Sequence, residues 1–216
     1  TATYVSGSTS TALVFQYTIQ SGDNDTNGIS IGADPLALNS GTIRDASGNY
    51  ATITHSSVDN NSSYMVDTTG PTLVDNVSIT SSTSTSVSTN PTISGVCTLG
   101  NCYIYVTATF NENVTVTGTP RLEITIGQSG NFVNRPADYD PTTGINSTNR
   151  SYSGNKQLVF KYAMQNADQV YTDDDGVSIG DDALSLNSGT IKDLAGNDAT
   201  TITHSLVGAN NLFQMK

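Results

Sequence analysis

Residues 36–49 read LALNSGTIRDASGN and residues 184–197 read LSLNSGTIKDLAGN, identical at 10 of 14 positions. Chance does not produce such a match within 216 residues, whereas a duplicated structural unit does. The likeness continues outward from this pair. Leu13-Val14-Phe15 corresponds to Leu158-Val159-Phe160, Gly28-Ile29-Ser30-Ile31-Gly32 to Gly176-Val177-Ser178-Ile179-Gly180, and Ile53-Thr54-His55 to Ile202-Thr203-His204. The offset grows from 145 to 149, which assigns small insertions to the loops between these blocks. Residues 1–67 correspond to 146–216, and Asp67 falls opposite Lys216. The domain reading is therefore the C-terminal part of one repeat over 1–67, a linker over 68–72 and a complete repeat over 73–216. An incomplete first repeat exposes strand edges and apolar faces. Either a longer protein was cut, or strands of another chain complete residues 1–67.

Period-two patterning identifies the elements as strands. Leu13, Phe15, Tyr17 and Ile19 alternate with Val14, Gln16 and Thr18, and Leu158, Phe160, Tyr162 and Met164 repeat that face. Ile104, Val106, Ala108 and Phe110 form another such face, as do Leu122, Ile124 and Ile126. Each is the pattern of a half-buried strand on a core. The turns 46–49 and 194–197, each ending Gly-Asn, predict hairpin ends. Composition agrees: 58 Ser or Thr, 19 Gly and 12% charged residues suit strands and turns, not helices. The fold class expected is all-β, as tandem antiparallel sandwich repeats. The Ser/Thr run at 78–89 reads either as a spacer or as an edge strand opening the second repeat. Net charge is -11, which disfavours nucleic acid and anionic membranes. No apolar run reaches the roughly 20 residues of a membrane span.

Further motifs carry a resemblance. Phe110-Asn111-Glu112-Asn113-Val114-Thr115-Val116-Thr117-Gly118-Thr119-Pro120, the Leu-Val-Phe strand, the Gly-Thr-Ile-(Lys/Arg)-Asp…Gly-Asn hairpin and Val66-Asp67-Thr68-Thr69-Gly70-Pro71-Thr72 resemble the tandem Ig-like, cadherin-like repeats of giant bacterial surface adhesins. The resemblance implies an extracellular location, at the bacterial surface or secreted, and a stalk of neighbouring Ig-like repeats, often stiffened by calcium. Two features depart from that pattern: the polar stretch 131–154 and the pair Cys97 and Cys102.

The acidic residues are the candidate chemistry. Asp23, Asp25 and Asn27 place oxygens at alternate positions before Gly28, and Asp34 follows where a closing carboxylate would sit, a Ca²⁺-loop spacing. The second copy offers Asp173, Asp175 and Asp182, with Tyr171 at the first ligand position and Asp168 as its substitute. The competing reading is a polar β-turn. A second calcium possibility lies with Asp67, Asp45, Asp193 and Glu112, since acidic side chains near linkers clamp neighbouring domains in the resembled family. Against it, Asp45 and Asp193 can simply hydrogen-bond their own turns.

Cys97 and Cys102 flank a Gly-Asn turn, a spacing that permits a disulfide across a hairpin in an oxidising compartment. His55 and His204 recur once per repeat, which points to a structural role. No catalytic motif stands out, so an enzyme is not expected. The function expected is a structural and adhesive stalk segment. The alternative is a carbohydrate-binding module of a secreted protein, using Tyr103, Tyr105, Phe132, Arg135, Tyr139 and Tyr152 against a glycan or surface ligand.

Overall fold

The computed structural model of the chain describes residues 1–74, 77–81, 103–128, 130–142, 155–165, 167–168, 171, 176–199 and 201–209. The protein is all-β, built of antiparallel sheets with no α-helix among these residues. It divides into two compact units, Thr1–Thr69 and Gly70–Lys216.

Unit 2 is organised by one seven-stranded sheet. Its strands are β5 (Ser78–Ser81), β6 (Tyr103–Thr117), β7 (Arg121–Gln128), β8 (Asn131–Tyr139), β9 (Asn155–Ala163), β10 (Leu184–Ser185) and β11 (Thr190–Lys192). The order is β10-β7-β8-β9-β6-β11, with β5 on β6. The fifteen-residue β6 serves several partners along its length: β9 and β5 along its first half, then β11 along 115–117. A register shift between Thr109 and Val114 lets it turn from one set to the next.

The apolar faces read from the alternation meet inside. Ile104, Val106, Ala108 and Phe110 are at most 1% exposed, and Leu122, Ile124, Ile126, Leu158 and Phe160 are fully buried. Val177, Ile179, Leu184 and Ile191 from the repeated half close the same core. Each such side chain contributes about 1.5–3 kcal/mol by leaving water.

Unit 1 contains two two-stranded sheets. In one, β1 (Thr3–Ser6) pairs with β2 (Val14–Gln16); in the other, β3 (Ile29–Ile31) pairs with β4 (Val58–Asn61). The local geometry copies unit 2. Ile31 pairs with Val58 just as Ile179 pairs with Val207, and Arg44 bridges Tyr50 as Lys192 bridges Asp198. Burial does not follow. Leu13, Phe15, Tyr17 and Ile19 were expected to face a core, yet they are 37–53% exposed. Their counterparts Leu158, Phe160 and Tyr162 are at most 4% exposed because they belong to one core with Ile104, Ile124, Val177, Ile179 and Ile191. Alternation marks which side of a strand is apolar; a second layer has to be present to bury it.

Turn chemistry explains the repeated block. Asn39 and Ser40, like Asn187 and Ser188, have positive φ (44, 69, 47 and 64°). Gly41 and Gly189 then donate their N–H to the carbonyls of Leu38 and Leu186, both at 2.7 Å. Two consecutive left-handed residues closing an i to i+3 bond follow the I′ pattern, which explains the Asn-Ser-Gly sequence in both copies.

Candidate metal centre

The carboxylates singled out by spacing are, for the most part, committed to local backbone. In the loop at 23–34 the carboxylates accept hydrogen bonds. Asp23 Oδ2 accepts the Tyr17 hydroxyl and the Gln20 N–H, both at 2.7 Å. Asp25 Oδ1 accepts the N–H of Asn27 and Gly28 at 3.3 and 2.8 Å, so Asn27 belongs to a turn that Asp25 caps. Asp34 Oδ1 accepts the His55 N–H at 2.6 Å, while Asp34 N–H donates to the His55 carbonyl. These three carboxylates do not converge within ligand distance of one another. The reason is that Ile29–Ile31 forms β3 and carries Asp34 away from the turn.

Asp182 pairs with His204 as Asp34 does with His55, its Oδ1 accepting the His204 N–H at 3.0 Å. Asp173 and Asp175 lie outside the described residues, as do Cys97, Cys102 and Tyr152. His204 is buried; its Nε2 accepts the Ala183 N–H at 3.0 Å, which leaves Nδ1 to donate to the Ser205 carbonyl. This pins the 182–184 segment against the strand end, a structural use of the imidazole.

Asp45 and Asp193 form matching Asx-turns. Asp45 Oδ1 accepts the N–H of Ser47 and Asn49, and its Oδ2 accepts Asn49 Nδ2. Asp193 Oδ1 and Oδ2 accept the Asn197 N–H and Nδ2 at 2.8 and 2.7 Å. The Asn49 side chain is the main cause that holds the Asp45 carboxyl below the usual carboxylate range. Asp67 is exposed, and its Oδ1 accepts the Thr69 N–H at 3.0 Å.

One pair within unit 2 remains suited to a cation. Glu112, on β6, and the 2%-exposed Asp193, just after β11, bring carboxylate oxygens within 4.8 Å of each other. Ligands of one Ca²⁺ bonded at 2.3–2.6 Å sit up to about 5 Å apart, so this separation fits such an ion. Each Asp193 oxygen already takes one hydrogen bond and retains a second lone pair for a metal.

The residue that spacing undervalued is Asp168. It is fully buried, with Oδ1 accepting Arg135 Nε at 2.7 Å and Oδ2 accepting the Tyr162 hydroxyl at 2.6 Å and the Gln165 N–H at 2.8 Å. Burial, then the bond to Asp168, pushes the Tyr162 phenol well up, and Asp168 likewise raises Arg135. Asp23 stands in the same relation to Tyr17 and Gln20, so Asp23 corresponds to Asp168. The signal in the sequence is the Tyr-x5-Asp spacing at 17–23 and 162–168.

Tyr105 is 8% exposed and packs on Tyr103, whose ring also carries the Lys161 ammonium at 4.0 Å. Tyr139 packs edge-on against Phe160, Arg135 is held by Asp168, and Phe132 is exposed. Compared with known protein families, characterised proteins and solved structures, the chain matches none.

Proposed function

We propose that this chain is a spacer segment of a bacterial cell-surface adhesin, in which tandem, extracellular Ig-like β-sandwich units act as a stalk. The observation that carries the reading is the duplication. Two units in tandem repeat the same I′ turn, the same aspartate-capped hairpin and the same Asp–His backbone clasp, with matching bond geometry. Selection on one ligand site would not demand that framework twice, whereas a length-setting array does.

The way unit 2 begins supports a load-bearing role. Thr72 N–H donates to Asn111 Oδ1 and the Thr72 carbonyl accepts the Asn111 N–H, while Leu73 bridges Phe110 and Val74 N–H donates to Thr109. Thr72 also bridges Thr201 in parallel. Tension entering at residue 70 therefore meets this cluster of backbone bonds as it reaches unit 2. Calcium at Glu112 and Asp193 would neutralise two clustered carboxylates and stiffen the junction of β6 with β11.

The test is single-molecule extension of the full chain between surface attachments at both ends. Unit 2 has 147 residues, Gly70 to Lys216. The expected record is one cooperative unfolding step that releases about 500 Å of chain. Extension without a resolvable force peak, or tight binding of unit 2 to a defined glycan on an array, would overturn the spacer reading.

A further inference from the structure

The surface that closes the core of unit 2 is present a second time, and in unit 1 it is uncovered. In unit 2, Leu158, Val159 and Phe160 pair along β6, Ser178 bridges Thr125 of β7, Leu184 and Ser185 pair with β7, and Thr190–Lys192 pair with β6. Their counterparts in unit 1 are Leu13, Val14 and Phe15, then Ser30, Leu36 and Ala37, and Thr42–Arg44. Among the described residues, the 36–37 and 42–43 segments form no strand, and Leu13, Val14, Phe15 and Ile31 are 37–51% exposed. The bare faces lie on β2 and β3, which pair only with β1 and β4, and the segments without strand pairing at 36–37 and 42–43 are those whose counterparts pair with β7 and β6 in unit 2.

Charge identifies what fits there. In unit 2 the covering half brings Arg135, on β8, to Oδ1 of Asp168. Asp23 in unit 1 holds the same tyrosine and backbone bonds on Oδ2, and among the described residues no side-chain cation is paired with it. Two copies of unit 1 packed face to face would confront Asp23 with Asp23 and supply no positive partner. A second copy of this chain is thus a poor occupant, since its own arginine is already engaged in its unit 2.

We propose that unit 1 is the receiving half of a two-half sandwich, and that its occupant is a further β-sheet half of the 73–139 pattern. That half carries an arginine at the position of Arg135, to meet Asp23 as Arg135 meets Asp168. Its inward residues match those of β6 and β7, alternating Ile, Val, Ala and Phe on one strand and Leu and Ile on the next. Unit 2 is then the finished form of the same interface. This inference does not depend on the spacer reading, because the occupant is specified by the duplicated face alone.

The experiment extends the full chain by fusing a second copy of residues 70–145 ahead of Thr1. Unit 2 stays in place as an internal folding control. The expected result is that amide exchange at Val14–Gln16 and Ile29–Ile31 slows by at least about 100-fold, because core strands exchange only through large-scale opening. Fluorescence of an apolar dye bound to the unextended chain should fall severalfold. Arg135→Glu in the added copy alone should abolish that protection while leaving unit 2 unchanged, and Asp23→Arg in the same protein should restore part of it. Unchanged exchange in unit 1 with an intact unit 2 overturns the proposal. So does a dimer of the unextended chain in which those same amides are already protected.

Discussion

Replacing Asp168 by alanine tests the account of unit 2 most directly. The side chain is fully buried and anchors three donors: Arg135 Nε, the Tyr162 hydroxyl and the Gln165 N–H. Alanine leaves a guanidinium that is only 23% exposed without its counter-ion, beside a buried phenol without its acceptor. Removing one member of a buried ion pair costs about 3–5 kcal/mol. The hydrogen-bond losses overlap with that figure and are not added to it, so about 4 kcal/mol is expected. For a domain of this size that is roughly 8–16 °C in Tm. It is also a large part of a typical stability of about 5–15 kcal/mol. The assay is urea unfolding of the full chain, followed by the NMR amide intensities of β6 and β9. Asp168→Asn keeps an acceptor for Tyr162 and should lose about half as much. The double variant Asp168→Leu with Arg135→Met removes both charges and should recover most of the loss. An alanine variant that loses under about 1 kcal/mol, the worth of an exposed pair, would refute the reasoning.

Three further outcomes are expected. Phe160→Ala should cost about 3–5 kcal/mol in urea unfolding, whereas Phe15→Ala, at the repeat-equivalent but exposed position, should cost less than about 1 kcal/mol; equal losses would contradict the difference in burial. Because its folded-state pKa is raised, Tyr162 keeps a proton that the unfolded chain releases from about pH 10 upward. Its contribution is complete below that pH and is lost progressively above it, so the urea midpoint should hold up to about pH 10 and fall as the pH rises further, and Tyr162→Phe should shrink that fall. Calcium should raise the melting temperature over chelator, and Glu112→Gln or Asp193→Asn should remove the increment; coincident curves for the unaltered chain would eliminate the metal.

The strand faces were legible because alternation is a local property. Ile104, Val106, Ala108 and Phe110 read as one face and are one face in the core. The Asn-Ser-Gly turn is not legible from glycine placement, since two of its three residues reach positive φ without glycine's help. The roles of the carboxylates were least legible. Oxygen side chains spaced for a calcium loop at 23–34 are equally suited to capping turns, and backbone N–H groups a few residues away reach Asp25 and Asp45 first. Asp168 was undervalued because its partner Arg135 sits 33 residues earlier, on a different strand.

By itself the sequence determined an all-β chain, its duplication, its strand faces and the chemistry of its hairpin turns. Periodicity and short-range hydrogen bonding require nothing beyond neighbouring residues. Only the tertiary structure decided which copy of each face is buried. The same apolar strand is core at Leu158–Phe160 and surface at Leu13–Phe15, because burial belongs to the layer that packs above a strand and not to the strand. It also decided that Asp168 is an ion-pair anchor and that Glu112 and Asp193 meet, since both pairings depend on how β6, β8 and β11 come together in space.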